Sequence, residues 1–318
     1  VMAALEFLGK SIAVLCGGTS AERDLSLKGG ADVAEALRAR GYRVTIVDLT
    51  PALDLVAALR RVDVVFVCLH GPLGEDGSVQ GFLEVLKIPY TFSGVVTQSV
   101  CVDKVRTKRY LRGCEPVRLI PDQLLADGAP LRVPPPCMVK DPQSGSSRGV
   151  WKCDTADEVR AAAAQCAGPR CLVEQFISGV DLVVCVNDGE ALPAMEFKTD
   201  KDWQDLASKN DLWGWAGADG SDGARAAIEK ICPATLPAAV VDEARDTALA
   251  IYDFLEVEGA MNFEFRVTVD GAAVYFVEVS SVPAMTRASV HACCAEAAGL
   301  SFEDVAERIL LTARLKLA

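Results

Sequence analysis

The sequence predicts a mixed α/β (α+β) protein whose N-terminal part is a parallel α/β lobe. Three observations predict it. Short apolar segments alternate with helix-period segments over residues 11–70, the pattern of a parallel sheet covered by helices. Two glycine-rich loops, 17–24 and 70–77, each carry a carboxylate where a strand should end, and open α/β sheets place their ligand loops there. Far downstream, residues 261–267 alternate between apolar and polar before Asp270-Gly271. That reads as a half-buried strand entering a hairpin turn.

In chain order, residues 11–16 form a strand that runs into Gly17-Gly18-Thr19-Ser20-Ala21-Glu22-Arg23-Asp24. A helix follows, with Leu25, Leu27, Val33, Ala34 and Leu37 at roughly helical spacing. Residues 42–49 and 63–70 are β-branched runs without proline and read as the next strands. Neither glycine-rich loop fits the dinucleotide fingerprint or the phosphate-loop pattern. Read alone, Glu22 is an acid near a helix start, where acids are favoured, and His70 is a hydrogen-bonded strand-end histidine. Both loops on one side of one sheet shift the balance towards binding. The pattern loosens over 89–99, where a domain boundary is expected. Asp103-Lys104 then opens a helix through Tyr110, and Pro134-Pro135-Pro136 leads stiffly into a strand at 137–140. The loop 143–149 holds no apolar side chain, and Lys140 stands at its mouth. It suits a phosphate cover and equally a plain flexible hairpin loop. A strand at 150–153, a helix at 154–165 and a strand at 171–176 complete this part.

In the downstream hairpin, Met261, Phe263, Phe265 and Val267 are apolar while Asn262, Glu264 and Arg266 are polar. Glu278 and Ser280 share one face of the second strand, being two residues apart. An odd-length connection, about three residues including the glycine, sets Glu264 opposite Glu278. Opposed carboxylates repel. Such a pair persists most easily around a hard cation, and Mg²⁺ suits oxygen ligands. A solvated face bearing two glutamates accounts for the hairpin equally well.

At 318 residues the chain can bury a sizeable core, in about two domains or one multi-lobed unit. A hydrophobic content of 51% argues against disorder. The net charge of −12 argues against a nucleic-acid partner, while an anionic nucleotide needs only local positive groups. No apolar run approaches the roughly 20 residues that span a bilayer, and no secretory signal is evident, so no membrane partner is expected. Val1 is compatible with a native start or with the edge of a longer chain. The 12 cysteines lie mostly inside apolar runs, as Cys16, Cys68, Cys171 and Cys185 do. They form no C-x-x-C pair, and two histidines cannot complete a zinc site of the usual spacing. They read as small buried hydrophobes in a reducing compartment, which points to the cytoplasm.

Taken together, the motifs resemble the D-alanine:D-alanine ligase family of the ATP-grasp superfamily. The resemblance covers almost the full length. It runs through L-C-G-G-T-S-A-E-R-D-L-S-L from Leu15, L-H-G-P-L-G-E-D-G-S-V-Q-G at 69–81, and Asp103-Lys104. It continues through the G-S-S-R-G loop, E-Q-F-I-S-G at 174–179, and E-V-S-S-V-P-A-M-T from Glu278. It implies an ATP-grasp fold in three lobes: an N-terminal α/β lobe over 1–95, a central small lobe over 96–176, and a metal-bearing C-terminal lobe over 177–318. It also implies that Lys104 and Lys140 hold the ATP phosphates beneath a loop containing Ser146 and Ser147. Glu174 and the backbone near Ile177 would border the adenine, and Asp181 the ribose. Glu22 would anchor the amino group of the first D-alanine, supported by Ser146 with His70 nearby. Ala284 would lie beside the reacting centre, and Ser289 would receive the carboxylate of the second D-alanine. Glu264, Glu278 and Ser280 would hold Mg²⁺ (or Mn²⁺).

The implied function is ATP-dependent synthesis of D-alanyl-D-alanine, a peptidoglycan precursor, through an acyl phosphate. Four departures from the family pattern motivate an alternative. Asn262 stands where the family has an arginine that neutralises transition-state charge, Ser280 where it has a metal-binding asparagine, and Ala284 where it has glycine. Residues 198–230 replace the lid and its Lys-Tyr pair with a segment holding Trp203, Trp213 and Trp215 and no tyrosine. Arg266, two residues along the face from Glu264, is the candidate to supply the missing catalytic charge. The alternative is a catalytically impaired or non-catalytic ATP-grasp domain, part of a longer fused chain, or a relative with altered amino-acid choice. As part of a longer eukaryotic precursor it would sit in an organelle stroma. The resemblance leaves a homodimer open.

Overall fold

The computed structural model describes residues 7–126, 128–145, 148–199 and 228–317. The chain opens with β1 (Ser11–Gly17), α1 (Arg23–Ala39), β2 (Arg43–Leu49), α2 (Leu55–Leu59), β3 (Val64–Val67) and α3 (Ser78–Leu86). The three strands form a parallel sheet in the order β2-β1-β3. β1 is paired on both edges, and Ile12, Ala13, Val14, Leu15 and Cys16 are all buried, as a central parallel strand requires. Because the strands are parallel, the loops after β1 and β3 leave the same edge of the sheet. The turn out of β1 needs glycine. Gly17 has φ +88°, and a Cβ there would lie 2.0 Å from Asp48 Oδ1, whose carboxylate is bridged by Arg23 at 2.7 Å. β3 is shorter than the sequence suggests: residues 68–70 have left the sheet, with only Cys68 N still donating to Leu15 O.

The next stretch comprises α4 (Val95–Cys101), α5 (Lys104–Leu111), β4 (Asp122–Ala126), β5 (Cys137–Lys140), β6 (Val150–Cys153), α6 (Ala156–Ala163) and β7 (Arg170–Gln175). Asp103 caps α5, its Oδ1 accepting from Val105 N and Arg106 N. The strands form an antiparallel sheet in the order β4-β7-β5-β6. α6 is shorter at both ends than the 154–165 expected; its start is set by Thr155, which caps it by accepting from Glu158 N at 3.2 Å.

The last sheet is built from β8 (Gly179–Asn187), β9 (Glu190–Ala191), β10 (Met195–Lys198), β11 (Glu229–Ile231), β12 (Ala260–Thr268) and β13 (Val274–Ser280). Its order is β11-β10-β8-β12-β13, with β9 pairing β8. Met261, Phe263, Phe265 and Val267 bury one face of β12 in a core shared with Ala244, Ala248 and Ile251 of α7 (Ala238–Phe254). The chain then turns back through α8 (Val290–Ala297) and α9 (Phe302–Leu311). Val305, Ile309 and Leu310 join the core around β1, and Arg40 pairs with Asp304 and Glu307.

Glu264 does face Glu278 across the β12–β13 pair, but not through an odd-length loop. Thr268 N donates to Ala273 O, so residues 269–272, an even number, form the connection. Register then shifts between Glu264↔Glu278 and Phe265↔Phe276, leaving Val277 unpaired as a bulge. One extra residue restores the parity. It also turns Glu278 and Ser280 off the core face that Val274 and Phe276 occupy.

Candidate active site

A cavity of about 300 Å³ lies where the three sheets meet. Its walls include Glu22, Glu75, Lys104, Glu264, Glu278 and Ser280. Glu22 sits at the N-cap of α1 but makes no side-chain cap bond. Loops from two sheets close on its carboxylate. A Cβ at Gly71 would lie 3.6 Å, and one at Gly145 3.7 Å, from Glu22 Oε2, ordinary contact distances that put both loops against the carboxylate. Behind it, His70 is 5% exposed, with Nδ1 3.7 Å from Glu75 Oε1. The other oxygen of Glu75 accepts from Gly71 N at 2.8 Å. Burial by itself lowers the His70 pKa. The hydrogen bond and charge of Glu75, the charge of Glu22 and a backbone hydrogen bond to Val282 outweigh it, so the imidazole is raised above its ordinary value. Glu75→Gln should therefore lower the His70 pKa, as read by NMR titration, and an unchanged titration would show that Glu75 is not its partner. A raised folded-state value contributes stability fully below pH 6.5, the ordinary value, and loses it as pH rises through the raised one.

The hairpin supplies Glu264, Glu278 and Ser280, and α5 supplies Lys104. Lys104 Nζ lies 3.0 Å from Glu278 Oε2 and donates to Ser144 O at 2.6 Å. The two opposed carboxylates are thus not separated by solvent alone. An ammonium neutralises part of their repulsion and ties them to the loop after β5. Two carboxylates and a hydroxyl facing one cavity form an oxygen donor set of the kind Mg²⁺ takes alongside phosphate oxygens. Among the described residues no cluster of three or more acidic, histidine or cysteine side chains offers a metal a complete cage.

Lys140, Glu174, Ile177, Asp181 and Arg266 form two groups outside those walls. Glu174 is 1% exposed. Its Oε2 lies 2.6 Å from Lys140 Nζ and its Oε1 contacts Lys108 Nζ. Lys108 also donates to Ile120 O at 2.8 Å and lies 3.0 Å from Asp122. Burial would raise the Glu174 carboxyl, but the two ammoniums hold it below its ordinary value. In the second group, Arg266 pairs across strands with Asp181 at 2.7 Å and donates to Ile177 O at 3.0 Å. The guanidinium expected to supply catalytic charge is thus engaged with the residues expected near the nucleotide. Ser289 is buried and caps α8, accepting from Ala292 N at 3.2 Å. Ala284 is buried too, in the segment where Met285 O lies 3.3 Å from a Cβ placed on Gly29 of α1. Asn262 is buried, and its Oδ1 lies 2.9 Å from His291 Nδ1. Ser146, Ser147, Trp203, Trp213 and Trp215 lie outside the described residues.

Two family models match the chain: the D-ala D-ala ligase C-terminus over residues 130–311 and the D-ala D-ala ligase N-terminus over residues 53–93. The chain belongs to the D-ala D-ala ligase family. A D-alanine--D-alanine ligase of Anaeromyxobacter dehalogenans is 37% identical over 320 residues, covering 97% of this chain and 98% of that protein. The crystal structure of a D-alanine--D-alanine ligase from Bacillus anthracis superposes with a TM-score of 0.82 at 27% identity, covering 95% of this chain and 97% of that one. A second structure from Bacillus anthracis, complexed with ATP, superposes with a TM-score of 0.78 at 25% identity and the same coverages. The fold is accordingly the ATP-grasp arrangement of these ligases.

Three residues of this ligase-family site escape the sequence reading. Lys108 lies four residues after Lys104 and so on the same face of α5, a signal the sequence carried. Glu75 stands in the loop after His70 but has no spacing that marks it as a partner. His291 carries no motif that marks it in the sequence, and only the fold sets it against Asn262.

Proposed function

We propose that this chain is an ATP-dependent ligase that joins two D-alanines through an acyl phosphate, in three lobes over 1–95, 96–176 and 177–318. One observation carries the reading: Glu22, Lys104, Glu264 and Glu278, drawn from separate parts of the chain, meet in a single cavity. On this reading Glu22 fixes the first D-alanine through its ammonium, with His70 and Glu75 behind it. The carboxylate of that D-alanine attacks the terminal phosphoryl group of ATP, the bond to the β-phosphate breaks, and ADP departs as the acyl phosphate forms. The second D-alanine's amine then attacks the acyl carbon and phosphate departs. Phosphoryl transfer depends mainly on position and charge neutralisation. Lys104 and Lys140 supply positive charge along the phosphates, with Ser146 and Ser147 in the covering loop. Glu174 and Ile177 border the base, Asp181 the ribose, and Ser289 and the backbone at Ala284 the second substrate. A Mg²⁺ (or Mn²⁺) held by Glu264, Glu278 and Ser280 would neutralise phosphate charge. No described helix is long and apolar enough to cross a membrane, and we place the chain in the cytoplasm.

D-alanine-dependent ADP release, measured with a coupled assay, tests the reading. ATP binding without any D-alanine-dependent ADP would replace it with a non-catalytic nucleotide-binding domain. Glu278→Gln should remove the Mg²⁺ dependence of ATP affinity, because a formal charge on the cation site is lost. Its unfolding midpoint should change little, since relief of the Glu264–Glu278 repulsion offsets the lost pairing with Lys104. Unaltered Mg²⁺ dependence would remove Glu278 from the metal site.

A further inference from the structure

A second cleft, of about 560 Å³, opens on the face of α5 away from Lys108. Arg106 and Arg109 of α5, Arg170 at the start of β7, Leu124 of β4, and Gln143 and Ser144 form its walls. The side chains of Arg109 and Arg170 have no hydrogen-bond or ion-pair partner among the described residues. Two carboxylates, Asp103 and Asp141, line the same cleft and are held mainly by neutral amide donors. Asp103 accepts from Val105 N, Arg106 N and Gln143 Nε2, and Asp141 accepts from Gln143 N and Ala167 N. Arg106 is partly neutralised, 3.7 Å from Asp103. The three arginines of the lining outnumber its two carboxylates, which leaves a small positive excess in a concave site on a chain whose net charge is −12. A guanidinium presents paired N–H donors that match the oxygens of one phosphoryl group.

We propose that this cleft binds a diphosphate group, with Arg109 and Arg170 each taking one phosphoryl group. The proposal goes beyond the ligase reading, since neither arginine lines the active cavity. The two cavities share a wall. Gln143 and Ser144 line both, Lys104 N donates to Pro142 O at 2.9 Å, and Lys104 Nζ donates to Ser144 O. An anion in the cleft therefore rests against the segment that holds Lys104.

Isothermal titration of the full chain with inorganic diphosphate, without Mg²⁺, tests the site. The unaltered protein should show a binding event that Arg109→Gln/Arg170→Gln weakens by at least about tenfold. Both side chains are exposed, so circular dichroism should show the variant folded. Any binding in the active cavity survives in that variant and stays separable. Identical titrations for the two proteins, or no heat from the unaltered one at about 10 mM ligand, would overturn the proposal. Parallel titrations with ADP separate the sources. An arginine-dependent event with inorganic diphosphate alone identifies the free anion, and one with ADP as well identifies a diphosphate carried on a nucleoside. Either upholds the site.

Discussion

Glu174→Gln should lower the unfolding free energy by about 3–5 kcal/mol, the cost of removing one partner from a buried ion pair. Glu174 is 1% exposed and stands between Lys140 and Lys108. Lys108 keeps Asp122 and the Ile120 carbonyl when Glu174 is neutralised. Lys140 is buried as well, and its direct ion pair with Glu174 is lost. Urea denaturation at neutral pH measures it. A folded-state pKa held below 4.5, the ordinary value, contributes stability that is full above 4.5 and is lost as pH falls through the lowered value. The gap between the unaltered protein and Glu174→Gln should accordingly narrow in acid. A loss under about 1 kcal/mol, independent of pH, would mean that solvent reaches the trio and that the pairing contributes little.

Glu174 also shows which parts of the site the sequence made legible. Local pattern sufficed wherever one element carries the information. Alternation along 261–267, the apolar β1 and the cap at Asp103 each report on their own neighbours, and the corresponding elements stand within a few residues of expectation. The cavity-facing residues Glu22, Lys104, Glu264, Glu278 and Ser280 were legible because motifs mark them. Illegible were the partnerships made between elements. Nothing in the sequence says that Lys104 neutralises Glu278, that Lys108 reaches Glu174, or that Arg266 is turned towards Asp181. These depend on how sheets approach one another, which no single periodicity encodes. The hairpin is the mixed case. The facing of Glu264 and Glu278 was legible, but its cause was not, because a bulge and an even loop give the same parity as an odd loop.

Asn262→Arg alone should not raise turnover, although on the proposed reading it restores the family's arginine. Asn262 is 4% exposed and His291 0% exposed, and the two are joined at 2.9 Å. Burial lowers the His291 pKa to about 4, so at neutral pH its Nδ1–H donates to Asn262 Oδ1. Its Nε2 then lacks a hydrogen-bond partner among the described residues. A guanidinium added at position 262 meets this imidazole in a filled space, and overpacking of that kind costs about 1–3 kcal/mol. Removing the obstacle changes the expectation. Asn262→Arg/His291→Ala should raise D-alanine-dependent ADP release by up to about 10²–10³, the scale of one charge-stabilising donor in a transition state. His291→Ala alone separates repacking from charge, since it opens the space without supplying a cation and should leave turnover unchanged. A gain from Asn262→Arg alone would show that the histidine yields readily. No gain from the double variant, with the fold intact, would show that position 262 does not limit this chain. Ordinary turnover by the unaltered protein would lead to the same conclusion, and Arg266 or a group within residues 198–230 would then have to carry the charge.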